Sequence, residues 1–167
     1  MRAEIANLLE RCGIPPGREG VAAGKGRFGP RAFDPLADPE AADQLGGLLA
    51  DHARPVDPNV VVVWESWLDL LLGFAVARRL AVPMLRAFVS EGLIVHDGTL
   101  PDAPRAVLVG EGFTDRTVVS AVEALMHHRS GTLEGVFSVY RPDWPEPRPV
   151  VVSLVDRPAA WSGGARE

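Results

Sequence analysis

A chain of 167 residues, 47% of them apolar and 23% charged, has the size and make-up of one globular domain with a true core, and is too apolar for a disordered polymer. A formal net charge of −5 at pH 7 argues against a nucleic-acid binder or a membrane-surface binder, because both need a cationic face. The single cysteine, Cys12, cannot close an internal disulfide, and no Cys/His set has zinc-ligand spacing, so no metal site is expected.

The opening "MRAEIANLLERCGI" reads as an amphipathic helix with charges inside it, not as a signal peptide, and places Ile5, Leu8 and Leu9 on one face. "GIPPGREGVAAGKGRFGPRAFDP" is rich in Gly and Pro and reads as loop with one or two short strands. "DPEAADQLGGLLADHA" predicts a helix capped by Asp38, with Pro39 at its first position and Glu40 in its first turn. "NVVVVW" is a β-branched run of the kind found in buried parallel strands. The helix "LDLLLGFAVARRL" follows, ending near Ala81 and Pro83; the apolar stretch near 70–77 is too short to span a bilayer and contains Gly73. "PMLRAFV" and "LIVHDG" predict strands, "RAVLVG" a second buried strand, and 116–129 a second clear helix. "LEGVFSVYR" and "PVVVSLVD" predict two more strands around the proline-broken "PDWPEPRP", and "RPAAWSGGARE" a loose tail. A cytoplasmic location follows by default.

Strand alternating with helix implies βαβ units and a mainly parallel sheet covered on both faces. Ligands of such sheets bind beyond the carboxyl ends of the strands. Two loops meet that rule, "WESWLD" (64–69) and "GEGFTDRT" (110–117). In the second, Thr114 and Thr117 flank a helix start whose unpaired N–H groups can hold an anion. Glu111 is placed to accept ribose hydroxyls or to hold magnesium indirectly. The plainer alternative is that Thr114 or Asp115 is an ordinary N-cap. In the first loop, Ser66 and Asp69 have capping-box spacing, which would satisfy that helix start locally.

Taken with their neighbours, these segments resemble the type I phosphoribosyltransferases, and within them the orotate enzymes. "AVLV" followed by Gly110, Glu111, Gly112, Phe113, Thr114, Asp115, Arg116 and Thr117 is similar, without insertion, to that family's strand, acidic pair, phosphate loop and helix. "FDPLADPEAADQLGGLLADHA", "GFAVARRLAVPMLRAF" and "VHDGTLPDAPRAVLV" resemble its flanking segments, so that the likeness covers roughly residues 20–140. The resemblance implies an α/β fold with a small N-terminal hood (about 1–36), a core (about 37–157), a tail (158–167) and a homodimer. It implies a transferase acting on phosphoribosyl pyrophosphate, with magnesium if the chain is active. Lys25 and Arg27 lie in the hood-like stretch, and Lys25 reads either as a contact to ligand or as solvated surface.

The departures fall on functional positions. One carboxylate of the acidic pair is Gly110, which leaves Glu111 as the catalytic candidate. The glycine that lets amides close around the 5′-phosphate is Arg116, beside Asp115, while Gly112, Thr114 and Thr117 remain as ligand-binding candidates. The turn facing pyrophosphate is Glu65–Ser66–Trp67–Leu68–Asp69, where bulky Trp67 is expected to fill the ligand's space. The stretch matching the family's mobile loop, "RAFVSEGLIVHDG", is short and lacks lysine, with Arg86 and His96 as its candidate cations. The expectation is a divergent, catalytically impaired homologue that binds a nucleotide or sugar phosphate. The alternatives are an active transferase, and an interaction module without ligand. His127 and His128 suit a helix C-terminus, and Trp64 suits core or site lining.

Overall fold

A computed structural model describes residues 2–13, 34–113, 116–142, 144 and 149–156 of the chain. Helix α1, Arg2–Arg11, turns Ile5 and Leu8 inward, and Cys12 follows it, fully buried with its thiol donating to the Asp38 carbonyl at 3.5 Å. Helix α2, Pro39–Ala53, starts as its sequence predicts. Asp38 has extended backbone and accepts from the Ala41 N–H at 3.0 Å, and Pro39 fills the first position, where no intrahelical donor is needed. A single 3-10 turn, Arg54–Val56, leads to strand β1, Val60–Trp64, buried at every position.

Helix α3, Trp67–Leu80, ends at Ala81 in left-handed backbone, as helix C-termini commonly do. Strands β2, Met84–Ser90, and β3, Leu93–Asp97, form a hairpin at one edge. Strand β4, Arg105–Gly110, helix α4, Thr117–His128, and strands β5, Thr132–Tyr140, and β6, Val150–Val155, complete the order. The six-stranded sheet runs β3-β2-β1-β4-β5-β6, parallel throughout except for the antiparallel β3. The α/β expectation with a mainly parallel sheet is therefore met.

The alternation of Val61 and Val63 against Val60, Val62 and Trp64 divides the core into two layers. One layer lies under α1, α2 and α3; the other lies under α4 and includes Phe113 and Met126. Two glycines let the first layer close. A Cβ on Gly73 would lie 2.2 Å from Val63 Cγ1, and one on Gly46 would lie 2.5 Å from Ala75 Cβ. The sheet thus brings β1 and β4 side by side, with Val62 opposite Leu108, and the loops after both strands open at the same carboxyl edge. Most of the expected hood, with Lys25 and Arg27, and the expected tail from residue 157 lie outside the described residues.

Candidate functional site at the carboxyl ends of β1 and β4

The turn after β1 is held by its own side chain. Glu65 adopts left-handed backbone (φ 44°), which is costly for a residue with a Cβ. Its N–H donates to the Ala87 carbonyl at 2.8 Å, and its carboxylate accepts from the Val89 N–H at 2.9 Å, pinning the turn to β2. Ser66 is the N-cap of α3, but its hydroxyl makes no cap bond, so the expected capping box does not form. Asp69 turns toward the neighbouring loop instead, and its carboxylate accepts from the Glu111 N–H at 2.7 Å. The spacing Ser-x-x-Asp describes only contacts within one helix, whereas here the acceptor is taken by a strand end forty-two positions further on.

Two side chains of the first turn of α3 bear on this edge. Trp67 stands on the first turn of α3 with 49% of its surface open. The side chain between the two turns is Asp69. A Cβ built on Gly110 would lie 3.4 Å from Asp69 Cγ and 2.8 Å from Phe113 Cζ. Phe113 is buried in the α4-side core layer, so position 110 has no room for a carboxylate while that ring is seated.

Glu111 is half-buried, and its carbonyl accepts from the Tyr140 N–H at 2.8 Å, joining the loop to the end of β5. Burial, followed by the Glu111 charge and then Cys12, pushes the Tyr140 phenol above its ordinary range, so the ring beside Glu111 is a neutral phenol. The Tyr140 carbonyl in turn accepts from the buried Ser138 hydroxyl at 2.8 Å. Gly112 lies over Tyr140, where an added Cβ would find ordinary contact at 3.5 Å.

Helix α4 opens at Thr117, with Arg116 at the N-cap position, and the Arg116 side chain makes no cap bond. Arg116 is half-buried with its guanidinium 3.9 Å from the Glu123 carboxylate, and Thr117 is exposed. Thr114 and Asp115 lie outside the described residues. Arg86 is engaged elsewhere: it pairs with Asp97 at 2.6 Å across the hairpin and stacks on the Phe88 ring at 4.6 Å. It sits two strands from β4, a lateral separation of roughly 10 Å. Ser66, Trp67, Glu111, Gly112, Arg116 and Thr117 therefore share the β1–β4 edge, and Arg86 does not.

Sequence reasoning passed over Asp69 as a bridge, Tyr140, and Arg141. Arg141 lines a depression of about 380 Å³ with Ser153, Leu154, Val155 and Asp156, and its guanidinium lies 3.7 Å from Asp156. The signal available for the last two was position alone, since both stand at the carboxyl end of a parallel strand. No group of three or more His, Cys, Asp or Glu side chains is arranged to hold a metal among the described residues. No helix among them is long and apolar enough to cross a membrane.

A mainly parallel sheet with these crossovers and with loops paired at its carboxyl edge defines a doubly wound α/β protein. No family model matches the sequence, and no curated protein matches it significantly. Solved structures do match. The adenine phosphoribosyltransferase of Thermoanaerobacter pseudethanolicus superposes with a TM-score of 0.63 at 15% identity, over 77% of this chain and 90% of that one. Orotate phosphoribosyltransferase of Mycobacterium tuberculosis, in complex with inorganic phosphate, gives 0.59 at 24% identity, over 84% of this chain and 82% of that one. The adenine enzyme of Trypanosoma brucei, in complex with AMP, pyrophosphate and ribose-5-phosphate, gives 0.64 at 14% identity, over 92% and 79%. The chain has the type I phosphoribosyltransferase fold.

Proposed function

We propose that this chain is a divergent orotate phosphoribosyltransferase-like protein that binds a sugar phosphate or nucleotide at the β1–β4 edge with impaired transfer activity. Glu111 takes ribose hydroxyls, and Thr114, Asp115, Arg116, Thr117 and Gly112 surround the phosphate at the start of α4. The observation that carries the reading is the Asp69–Glu111 bridge. It ties the two edge turns together, and a carboxylate at this edge supports a reading in which no diphosphate is stabilised there.

Calorimetry with ribose 5-phosphate and nucleoside monophosphates tests the binding half, and saturable binding lost in Glu111→Gln is expected. A pyrophosphate-release assay across the common bases tests the other half. Magnesium-dependent turnover there would establish the competing reading, an active transferase. In that case a magnesium ion would rest on Glu111 and on ligand oxygens, since such ions are usually held by one or two carboxylates plus substrate phosphate.

A homodimer belongs to the same proposal. Its support is the apolar row Trp67, Leu71 and Phe74 on the open face of α3, beside the site. The same row is what an interaction module without ligand would use, and loss of all phosphate binding would favour that module.

A further inference from the structure

We infer that Asp69 acts as a built-in anion that restricts the site to singly phosphorylated ligands and excludes diphosphates. The inference rests on the proposed phosphate-binding function and names its ligand class. The Glu111 N–H lies just past the end of β4 and points at the α3 side of the edge, where it meets the Asp69 carboxylate at 2.7 Å. A main-chain donor in that position is what a ligand anion would seek, and here the protein supplies the anion itself. Asp69 is well suited to stay there, because it lies in the first turn of α3, where the helix dipole favours negative charge.

Charge divides the edge into two sides. The α3 side carries Asp69 and Glu65, the latter with its carboxylate on the Val89 N–H. The α4 side carries Arg116 at the N-cap position, its guanidinium 3.9 Å from the Glu123 carboxylate, and the exposed Thr117. One phosphate seated at α4 meets donors and a cation. A diphosphate reaching across to α3 would set further negative charge against Asp69 and find the Glu111 N–H already bonded.

Asp69→Asn tests this directly, for it keeps the shape and one acceptor oxygen while removing the charge. Asp69→Ala frees the donor altogether. Inorganic pyrophosphate and ribose 5-phosphate are titrated into the full chain by calorimetry, with the Glu111 amide resonance followed by NMR. The expected result is no pyrophosphate binding to the wild type at millimolar concentration, an at least tenfold gain in both variants, and a Glu111 resonance that moves only in the variants. Pyrophosphate that binds the wild type and shifts that resonance overturns the inference, as does a folded Asp69→Asn protein with no gain. Failure of ribose 5-phosphate on all three proteins, beside a pyrophosphate gain in the variants, would instead sink the phosphate-ligand function and the restriction to singly phosphorylated ligands, leaving only the exclusion of diphosphates by Asp69.

Discussion

Gly110 stands where the resemblance expects a carboxylate, and its surroundings leave no room for one. Phe113 has taken the space that a side chain would need, and the nearest polar neighbour, Asp69, would repel a carboxylate placed there. Gly110→Ala should therefore destabilise the fold by about 1–3 kcal/mol, the usual cost of overpacking a tight core. Equilibrium urea unfolding measures this, and the cost should fall substantially in a Phe113→Leu background, where the clashing ring end is gone. Equal costs in both backgrounds would mean that Phe113 is not what closes the position. The absence of a carboxylate at 110 was legible from the sequence, because it needed only the order of residues along one loop. The contacts around that position were not legible. Asp69 and Glu111 are distant in sequence, and only the parallel pairing of β1 with β4 brings them together. Trp67 looked like the plug because its volume is evident in the sequence, whereas the direction in which it points is not.

Elements were easier to read than contacts. The strands announce themselves through β-branched runs, and Asp38-Pro39-Glu40 marks the start of α2, because those signals act within a few residues. The packing of α2 on α3 is not of that kind. It depends on Gly46 against Ala75, and on Asp43, whose carboxylate takes hydrogen bonds from Arg78 and, at 3.0 Å, from Arg79. The Arg79 hydrogen bond, followed by the charge and hydrogen bond of Arg78, holds the Asp43 carboxyl below its ordinary value of 3.8. A group depressed in the folded state binds its proton more readily in the unfolded chain, so its stabilising effect is present above about pH 4 and is lost as pH falls through the folded-state value. Thermal unfolding of Asp43→Asn should therefore show a lower Tm than wild type at pH 7 and a smaller fall between pH 5 and pH 3. Added salt should narrow the difference at pH 7, because the cluster is largely exposed. A mutant that keeps the full wild-type acid slope would remove Asp43 from the α2–α3 contact.

The whole molecule has the type I phosphoribosyltransferase fold, with Asp69 bridging the two turns at its β1–β4 edge, and it carries one surface feature that neither explains. Phe74, Trp67 and Leu71 expose 60%, 49% and 41% of their surface, three large apolar side chains at helical spacing on α3. Scattered apolar residues on a surface are ordinary, but a row of three rising from the first turn of the site helix is a contiguous patch. Covering it with the same patch of a second chain would form a two-fold contact, in which each residue meets its own row, and would bring two sites close together. Burial of such side chains is worth roughly 25 cal/mol per Å², so the row can contribute several kcal/mol to association if it lies at the centre of the contact. Sedimentation equilibrium should show a dimer for the wild type at micromolar concentration. Phe74→Glu, at the most exposed of the three positions, should shift it to monomer while leaving thermal stability of the monomer within about 0.5 kcal/mol, as expected for a surface substitution. A Phe74→Glu chain that sediments like wild type would place the dimer contact elsewhere or remove it, and α3 would then present its apolar row to a different protein.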